Sequence, residues 1–356
     1  FLIALKGVCH KVRKILAIIV CKLIKFIGGF VGKGSSLPGK YALKICPDIL
    51  KRVHMPEKII AVTGSNGKTS TVEMIASILK SSGIKVAYNI EGSNQIEGVT
   101  TMVLDNCSLT GKMNADVLLI ESDERYAKYT FKWFKPTHYV ITNLYRDQLT
   151  RNGHPMWVYD AIKESVFDDT QLILNADDPM ISKFGANRDN VVWFGLDHCS
   201  TDEEEFVGTY NDGIYCPICK APMEYEYYHF NHIGKYHCTA CDYARRDTDY
   251  SVSEIDLDND KIIINNKHEI KLAFKSIYNI YNILSAFTVC SLVGIDENKI
   301  ASNISNYILK NGRFIRFSLG EHKGTFLVSK HENSVSYDMS FKYIASQKEK
   351  CSVIVI

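Results

Sequence analysis

The sequence predicts an α/β protein with a mainly parallel sheet, and three observations carry that prediction. Short apolar runs bounded by turn residues alternate with stretches whose apolar residues recur at helical spacing. That is the pattern of strands buried on both faces and joined by crossover helices. One run, Ile59-Ile60-Ala61-Val62, leads through Thr63-Gly64-Ser65-Asn66-Gly67-Lys68-Thr69 into a helical pattern over 71–79. A segment at 208–250, rich in Tyr, Cys and His, interrupts the rhythm with two C-x-x-C pairs.

The elements follow in order. The apolar N-terminal stretch, 1–31, reads as a helix. Lys6, Lys11, Arg13, Lys14, Lys22 and Lys25 interrupt it, so its uncharged runs fall far short of the roughly 18 residues a membrane span needs. It also lacks a small-residue cleavage site, which argues against a signal peptide. At 100° per residue Lys11, Lys14, Lys22 and Lys25 share one face. The helix either lies on an anionic membrane by that face or packs on its own domain or a partner, and Ile18 inside the basic face favours packing. A breaker cluster at 32–39 precedes a helix at 40–53. Strands are expected at 59–62, 85–89, 117–121, 138–142, 172–175 and 191–194, with helices at 69–81 and 156–166. A hairpin, 261–265 with 269–273, turns at Asn265-Asn266-Lys267, and helices at 277–292 and 298–309 follow. A strand at 325–329 opens a further unit. The chain starts without Met and stops in the strand-like Cys351-Ser352-Val353-Ile354-Val355-Ile356, so more chain is expected in the native protein. The expected division is an N-terminal helical segment 1–54, a central domain 55–320 with an insertion at 208–250, and the start of a C-terminal α/β domain at 321–356.

Composition bounds the function. A formal net charge of +2 excludes a strongly basic nucleic-acid binder. Of 11 cysteines, four form a tight pattern and seven stand apart, which suits reduced cytosolic thiols better than a disulfide framework.

The loop after the first strand has the makings of a phosphate cradle. Gly64 and Gly67 let backbone N–H groups approach an anion, the helix start over Lys68-Thr69-Ser70 adds partial positive charge, Lys68 can reach terminal phosphates and the Thr69 hydroxyl can hold Mg²⁺. Asn66 completes the loop. Val62 stands where the usual pattern has its first glycine. Other suggestive residues fall at predicted strand C-terminal ends, where ligands bind in such sheets: Glu121–Glu124, Asn143–Asp147 and Asn175–Asp178. Cys216, Cys219, Cys238 and Cys241 match a four-thiolate structural Zn²⁺ site. With every position filled by sulfur, the metal would hold together an insertion too small for its own core.

Five stretches occur together in order: the loop, Glu121-Ser122-Asp123-Glu124, Thr142-Asn143-Leu144-Tyr145-Arg146-Asp147-Gln148-Leu149, Leu174-Asn175-Ala176-Asp177-Asp178-Pro179 and Gly312-Arg313-Phe314-Ile315-Arg316-Phe317. With them the chain resembles the Mur ligase superfamily of ATP-dependent amide-bond ligases. The cysteine quartet, Leu37-Pro38-Gly39-Lys40 and Tyr88-Asn89-Ile90-Glu91-Gly92-Ser93-Asn94 resemble the branch that supplies the ATP-using subunit of lipid II isoglutaminyl synthase. The resemblance implies a central ATPase domain with an inserted zinc ribbon and a truncated C-terminal domain. It implies ATP-driven formation of an acyl phosphate on the α-carboxyl of D-glutamate in lipid II, and ammonia from a glutamine amidotransferase partner of the GatD type in a heterodimer, at the inner face of the membrane. Lys68, Glu121 and Arg316 would be catalytic, with Thr69 and Glu121 on Mg²⁺. Asn175, Asp178, Asn279, Asn282, Arg313 and Arg316 would join the loop in binding nucleotide. Tyr278 replaces the usual His before Asn279, Gln148 replaces a metal-binding His, Lys163 stands where many relatives carry a carbamylated lysine, and Lys330-His331-Glu332 departs from the relatives' Lys-Asn-Pro. The alternatives are a folylpolyglutamate or amino-acid-adding ligase, or a non-catalytic zinc-ribbon protein switched by ATP. The cysteine quartet and Gln148 argue against the first, and the intact Lys68, Thr69, Glu121 and Arg316 against the second.

Overall fold

The structure is a computed structural model. It describes residues 2–29, 35–89, 93–146, 154–208, 210–273, 276–307, 314–320 and 322–327, with isolated positions at 337–345. In chain order the strands are β1 Lys58–Thr63, β2 Val86–Tyr88, β3 Val117–Glu121, β4 His138–Ile141, β5 Gln171–Asn175, β6 Val191–Leu196, β7 Met223–Phe230, β8 Ile233–Cys238, β9 Tyr250–Asp256, β10 Lys261–Ile264, β11 His268–Lys271, β12 Phe314–Leu319 and β13 His322–Leu327. The helices are α1 Leu2–Gly29, α2 Leu37–Ile45, α3 Ile49–Arg52, α4 Lys68–Ser81, α5 Ile96–Asp105, α6 Ala127–Phe131, α7 Pro155–Lys163, α8 Pro179–Ser182, α9 Ile277–Leu292 and α10 Glu297–Ser305.

Nine strands form one sheet in the order β11-β10-β9-β6-β5-β4-β1-β3-β2. The pairings from β2 across to β9 are parallel, and the β9-β10-β11 edge is antiparallel. Central strands β1, β3, β4 and β5 are buried almost throughout, as continuous apolar runs require when both faces are covered. On one face Ile60 and Val62 pack with α4, α9 and α10; on the other Ile59 and Ala61 pack with α1, α2, α3, α5 and α7. β1 pairs with β3 on one side and β4 on the other, so the order reverses there and the loops leaving these three strands meet at one sheet end.

Several elements depart from expectation. The helix expected at 40–53 is two, α2 and α3, because Cys46 precedes Pro47 and is driven to φ −138°, ψ 89°. Helix α5 was not foreseen. Its β-branched residues and Gly98 give weak local propensity, and burial of residues 98–104 decides it. The parallel strand β9 also lacked a clear signal. Three lysines of the basic face of α1 turn toward the protein, while Lys11 is exposed: Lys22 Nζ donates to Asp105 O at 2.6 Å, Lys25 pairs with Asp105 at 3.0 Å, and Lys14 Nζ donates to Thr110 O at 2.7 Å. Ala17, Ile18 and Cys21 are fully buried beneath, so α1 packs on its own domain. Beyond residue 10, α1 exposes Val12, Leu16, Leu23, Phe26 and Ile27, each 48–70% exposed, with Lys11 and Arg13 exposed beside them. β7 and β8 form the insertion's hairpin, and β12 and β13 a separate antiparallel pair. The strand expected at 351–356 lies outside the described residues.

Candidate functional site

The loop between β1 and α4 is shaped by two glycines. Gly64 has φ +130° and Gly67 φ +84°, conformations that L side chains rarely adopt. A Cβ on Gly64 would strike the Thr142 hydroxyl, and one on Gly67 the Asn282 amide. Gly67 is the N-cap of α4, which therefore begins without a side-chain cap and has no acidic residue in its first turn. A helix start of this kind suits an anion.

The loop is braced from β4. Asn66 N donates to Asn143 Oδ1 at 2.8 Å, Asn143 Nδ2 and Thr142 Oγ1 donate to Asn66 O at 3.1 and 2.8 Å, and Ser65 N donates to Asn143 O at 2.9 Å. Tyr145 N donates to Ser65 Oγ at 3.0 Å. Asn143, in one of the stretches expected at a strand C-terminal end, holds the loop in shape together with Thr142.

Carboxylates face this loop from β3. Lys68 Nζ lies 2.5 Å from Glu124 Oε1 and donates to Gly64 O at 2.5 Å. Burial alone would lower the Lys68 pKa, but Glu124, then Glu121 and Asp123, outweigh it and raise it. Burial pushes the Glu121 carboxyl upward, opposed by Lys68 and by a hydrogen bond from Thr69. Thr69 and Glu121 therefore adjoin at the mouth of the cradle. Asn89 fixes the end of β3 by accepting from Glu121 N at 2.8 Å and donating to Glu121 O at 2.9 Å.

The remaining residues divide. Asn282, on α9, reaches the loop at Gly67, with Asn279 buried one turn earlier. Ser70 is half-buried in the first turn of α4. Asn175 and Asp178 are engaged locally. Asn175 Oδ1 accepts from Asp177 N at 3.0 Å, while Asp178 caps α8 through Met180 N at 2.8 Å and Ile181 N at 3.2 Å and accepts from Leu144 N at 3.1 Å. Both are thus turn and cap residues that position the β4 and β5 loops. Arg316 lies on β12 opposite Thr325. Arg313 and Gln148 lie outside the described residues, and Lys163 is exposed at the end of α7.

In the insertion, Cys216 and Cys241 sulfurs are 3.7 Å apart and Cys219 and Cys238 sulfurs 3.4 Å apart, all four lying within 4.8 Å of one another. A tetrahedral site with Zn–S of about 2.3 Å has edges of about 3.8 Å, so the quartet fits zinc. Ile218 N and Ala240 N each donate to the first sulfur of their pair at 3.4 Å. Lys220, just past the first pair, takes φ 68°. The insertion is tied to the sheet through Asp177, which had no assigned role. Its carboxylate accepts from Arg245 Nε and Tyr281 OH at 2.6 Å each and from Leu196 N at 2.8 Å. Tyr236 OH and Tyr243 OH donate to Ala176 O and Pro179 O at 3.1 and 2.6 Å.

Comparison with known proteins gives a consistent answer. Residues 62–290 match the family model described as the Mur ligase middle domain. The chain is 30% identical over 347 residues to the lipid II isoglutaminyl synthase (glutamine-hydrolyzing) subunit MurT of Staphylococcus aureus, covering 97% of this chain and 77% of that protein. It is 30% identical to the MurT subunit of Streptococcus pneumoniae, covering 86% of this chain and 68% of that protein. Among solved structures, a pseudomurein peptide ligase type C from Methanothermus fervidus superposes with TM-score 0.60 at 28% identity, covering 76% of this chain and 53% of that one.

Proposed function

The chain belongs to the Mur ligase family, and from that premise we propose that it is the ATP-using subunit of a lipid II isoglutaminyl synthase. It would amidate the α-carboxyl of D-glutamate in the lipid II stem through an acyl phosphate, with ammonia from a GatD-type glutaminase subunit. The observation that carries this reading is the meeting of Lys68, Thr69 and Glu121 at the reversal of strand order, beside an N-terminal helix turn without a side-chain cap. Two anions must approach each other in such a reaction, and cations must offset them.

ATP would supply the phosphoryl group, with Mg²⁺ offsetting charge between the phosphates. The α4 N-terminus and Lys68 would hold the phosphates, Lys68 exchanging Glu124 for them. Thr69 and Glu121 would ligate the magnesium, and Arg313 and Arg316 would bind the nucleotide, Arg316 with a catalytic role. Asn279 and Asn282 would orient the base, and Asn175 and Asp178, held in their turn and cap, would join in binding the nucleotide. The cysteine quartet would hold zinc and keep the hairpin folded.

The protein would act at the membrane surface. No helix of the described residues is long and apolar enough to cross a membrane. The outward apolar face of α1 supports peripheral contact with the bilayer that carries the substrate.

The test is ATP turnover with lipid II and glutamine, using the full-length chain with and without the amidotransferase. Dependence on both supports the proposal; turnover with free glutamate or folate contradicts it.

A further inference from the structure

A second group of metal-ligand side chains lies outside the cysteine quartet. Cys199, Asp202 and His229 offer one sulfur, one oxygen and one nitrogen within 4.8 Å of one another. Cys199 Sγ is 2.9 Å from Asp202 Oδ1, and His229 Nδ1 is 2.6 Å from the same oxygen. Cys199 and Asp202 belong to one tight turn: Asp202 N donates to Cys199 O at 3.1 Å, and Cys199 N donates to Asp202 Oδ2 at 2.8 Å. His229 arrives from β7, so the three donors join two separate stretches of chain. His198 Nδ1 lies 2.8 Å from Asp202 Oδ2 with its ring largely in solvent, outside the group of three.

We propose that Cys199, Asp202 and His229 form a second site for a divalent transition-metal ion of the zinc class, its fourth position taken by a water. The donor set suits such an ion, which takes thiolate, imidazole and carboxylate together. The surroundings of His229 carry the argument beyond the cluster itself. Its ring is fully buried, and its Nε2 has no hydrogen-bond partner but faces Asp177 Oδ2 at 3.8 Å. A histidine that binds metal through one nitrogen commonly turns the other toward a carboxylate, which fixes the ring. Bond lengths of about 2.0–2.3 Å set donor–donor edges of about 3.3–3.7 Å, so the side chains need only spread by under about 1 Å. Binding would release the Cys199 thiol proton and the His229 Nδ1 proton to solvent as the metal takes their place. The ion would clamp the turn to β7 and so steady the root of the ribbon, sharing no ligand with the quartet.

The test is zinc content of the intact protein after equilibration with excess zinc and desalting, read with X-ray absorption at the zinc edge. Two zinc ions per chain are expected, with a mixed shell averaging about two to three sulfurs per zinc. Cys199→Ala is expected to hold one zinc in an all-sulfur shell. One zinc per chain in the wild type with an all-sulfur shell would overturn the proposal. Two zinc ions that persist in Cys199→Ala with an unchanged shell would do so as well. The wild-type spectrum decides the matter even if the variant fails to fold.

Discussion

Replacing Lys68 by Ala separates two roles for that side chain. The ammonium and its Glu124 partner are 11% and 7% exposed, so the substitution strands a carboxylate in a nearly dry site. Breaking a buried pair from one side costs about 3–5 kcal/mol, and the residual solvent contact of both groups places this case near the lower end, at about 3 kcal/mol. For a chain of 356 residues the urea m-value lies at or above the roughly 3 kcal/mol/M that marks the upper end for small proteins, so the unfolding midpoint should fall by about 1 M or less. Lys68→Met with Glu124→Gln removes both charges while keeping volume, and should return to within about 1 kcal/mol of wild type. The carboxylates hold the Lys68 pKa above its ordinary value of 10.5. Its stabilising contribution is therefore complete at neutral pH and is lost only as pH rises past that value. Urea melts followed by circular dichroism give the midpoints, and isothermal titration with a nonhydrolysable ATP analogue gives nucleotide affinity. Both variants should lose most of that affinity. An unshifted midpoint in Lys68→Ala, or no recovery in the double variant, would refute the electrostatic reasoning; unchanged affinity would refute the phosphate role.

Other outcomes follow from the same geometry. Gly67→Ala should cost about 1–2 kcal/mol from its left-handed backbone, plus a further loss from displacing Asn282; Asn282→Ala should remove only that second part in a double-mutant cycle read by urea melts. Asn143→Ala removes the Oδ1 acceptor and the Nδ2 donor that hold Asn66 in the loop, and should weaken binding of the ATP analogue about tenfold, checked by the same titration. Cys216→Ser should lower thermal stability by more than any change in ATP turnover per folded molecule, since zinc would supply much of the insertion's stability; soluble wild-type protein without zinc on metal analysis would refute this. Leu16→Asp with Leu23→Asp should reduce co-sedimentation with anionic vesicles while leaving the fold's circular dichroism unchanged, and equal sedimentation would remove the membrane role of α1.

The strands of the central sheet were legible because burial on both faces leaves continuous apolar runs such as Val117–Glu121. Helix α9 was legible to its ends, Ile277 and Leu292. Helix α5 was hidden because a threonine- and valine-rich segment becomes helical only against α1 and α2. The orientation of α1 was hidden for a related reason: its lysines find carbonyls and Asp105 on the domain surface, which no periodicity reveals. At the candidate site, glycine spacing and the Lys-Thr pair pointed to the cradle. The bracing by Asn143, the Lys68–Glu124 pair and the Asp177 hub depend on side chains brought together across 56 to 104 residues of chain. Asn175 and Asp178 stood out by type and position, yet only the hydrogen bonds identify them as cap and turn groups.

A crystal structure with a nonhydrolysable ATP analogue and magnesium tests the central claim most directly. The phosphates are expected on the backbone amides of the first turn of α4, with Lys68 turned from Glu124 toward them and magnesium between Thr69 and Glu121. Nucleotide bound elsewhere, with Lys68 still paired to Glu124, would contradict that claim.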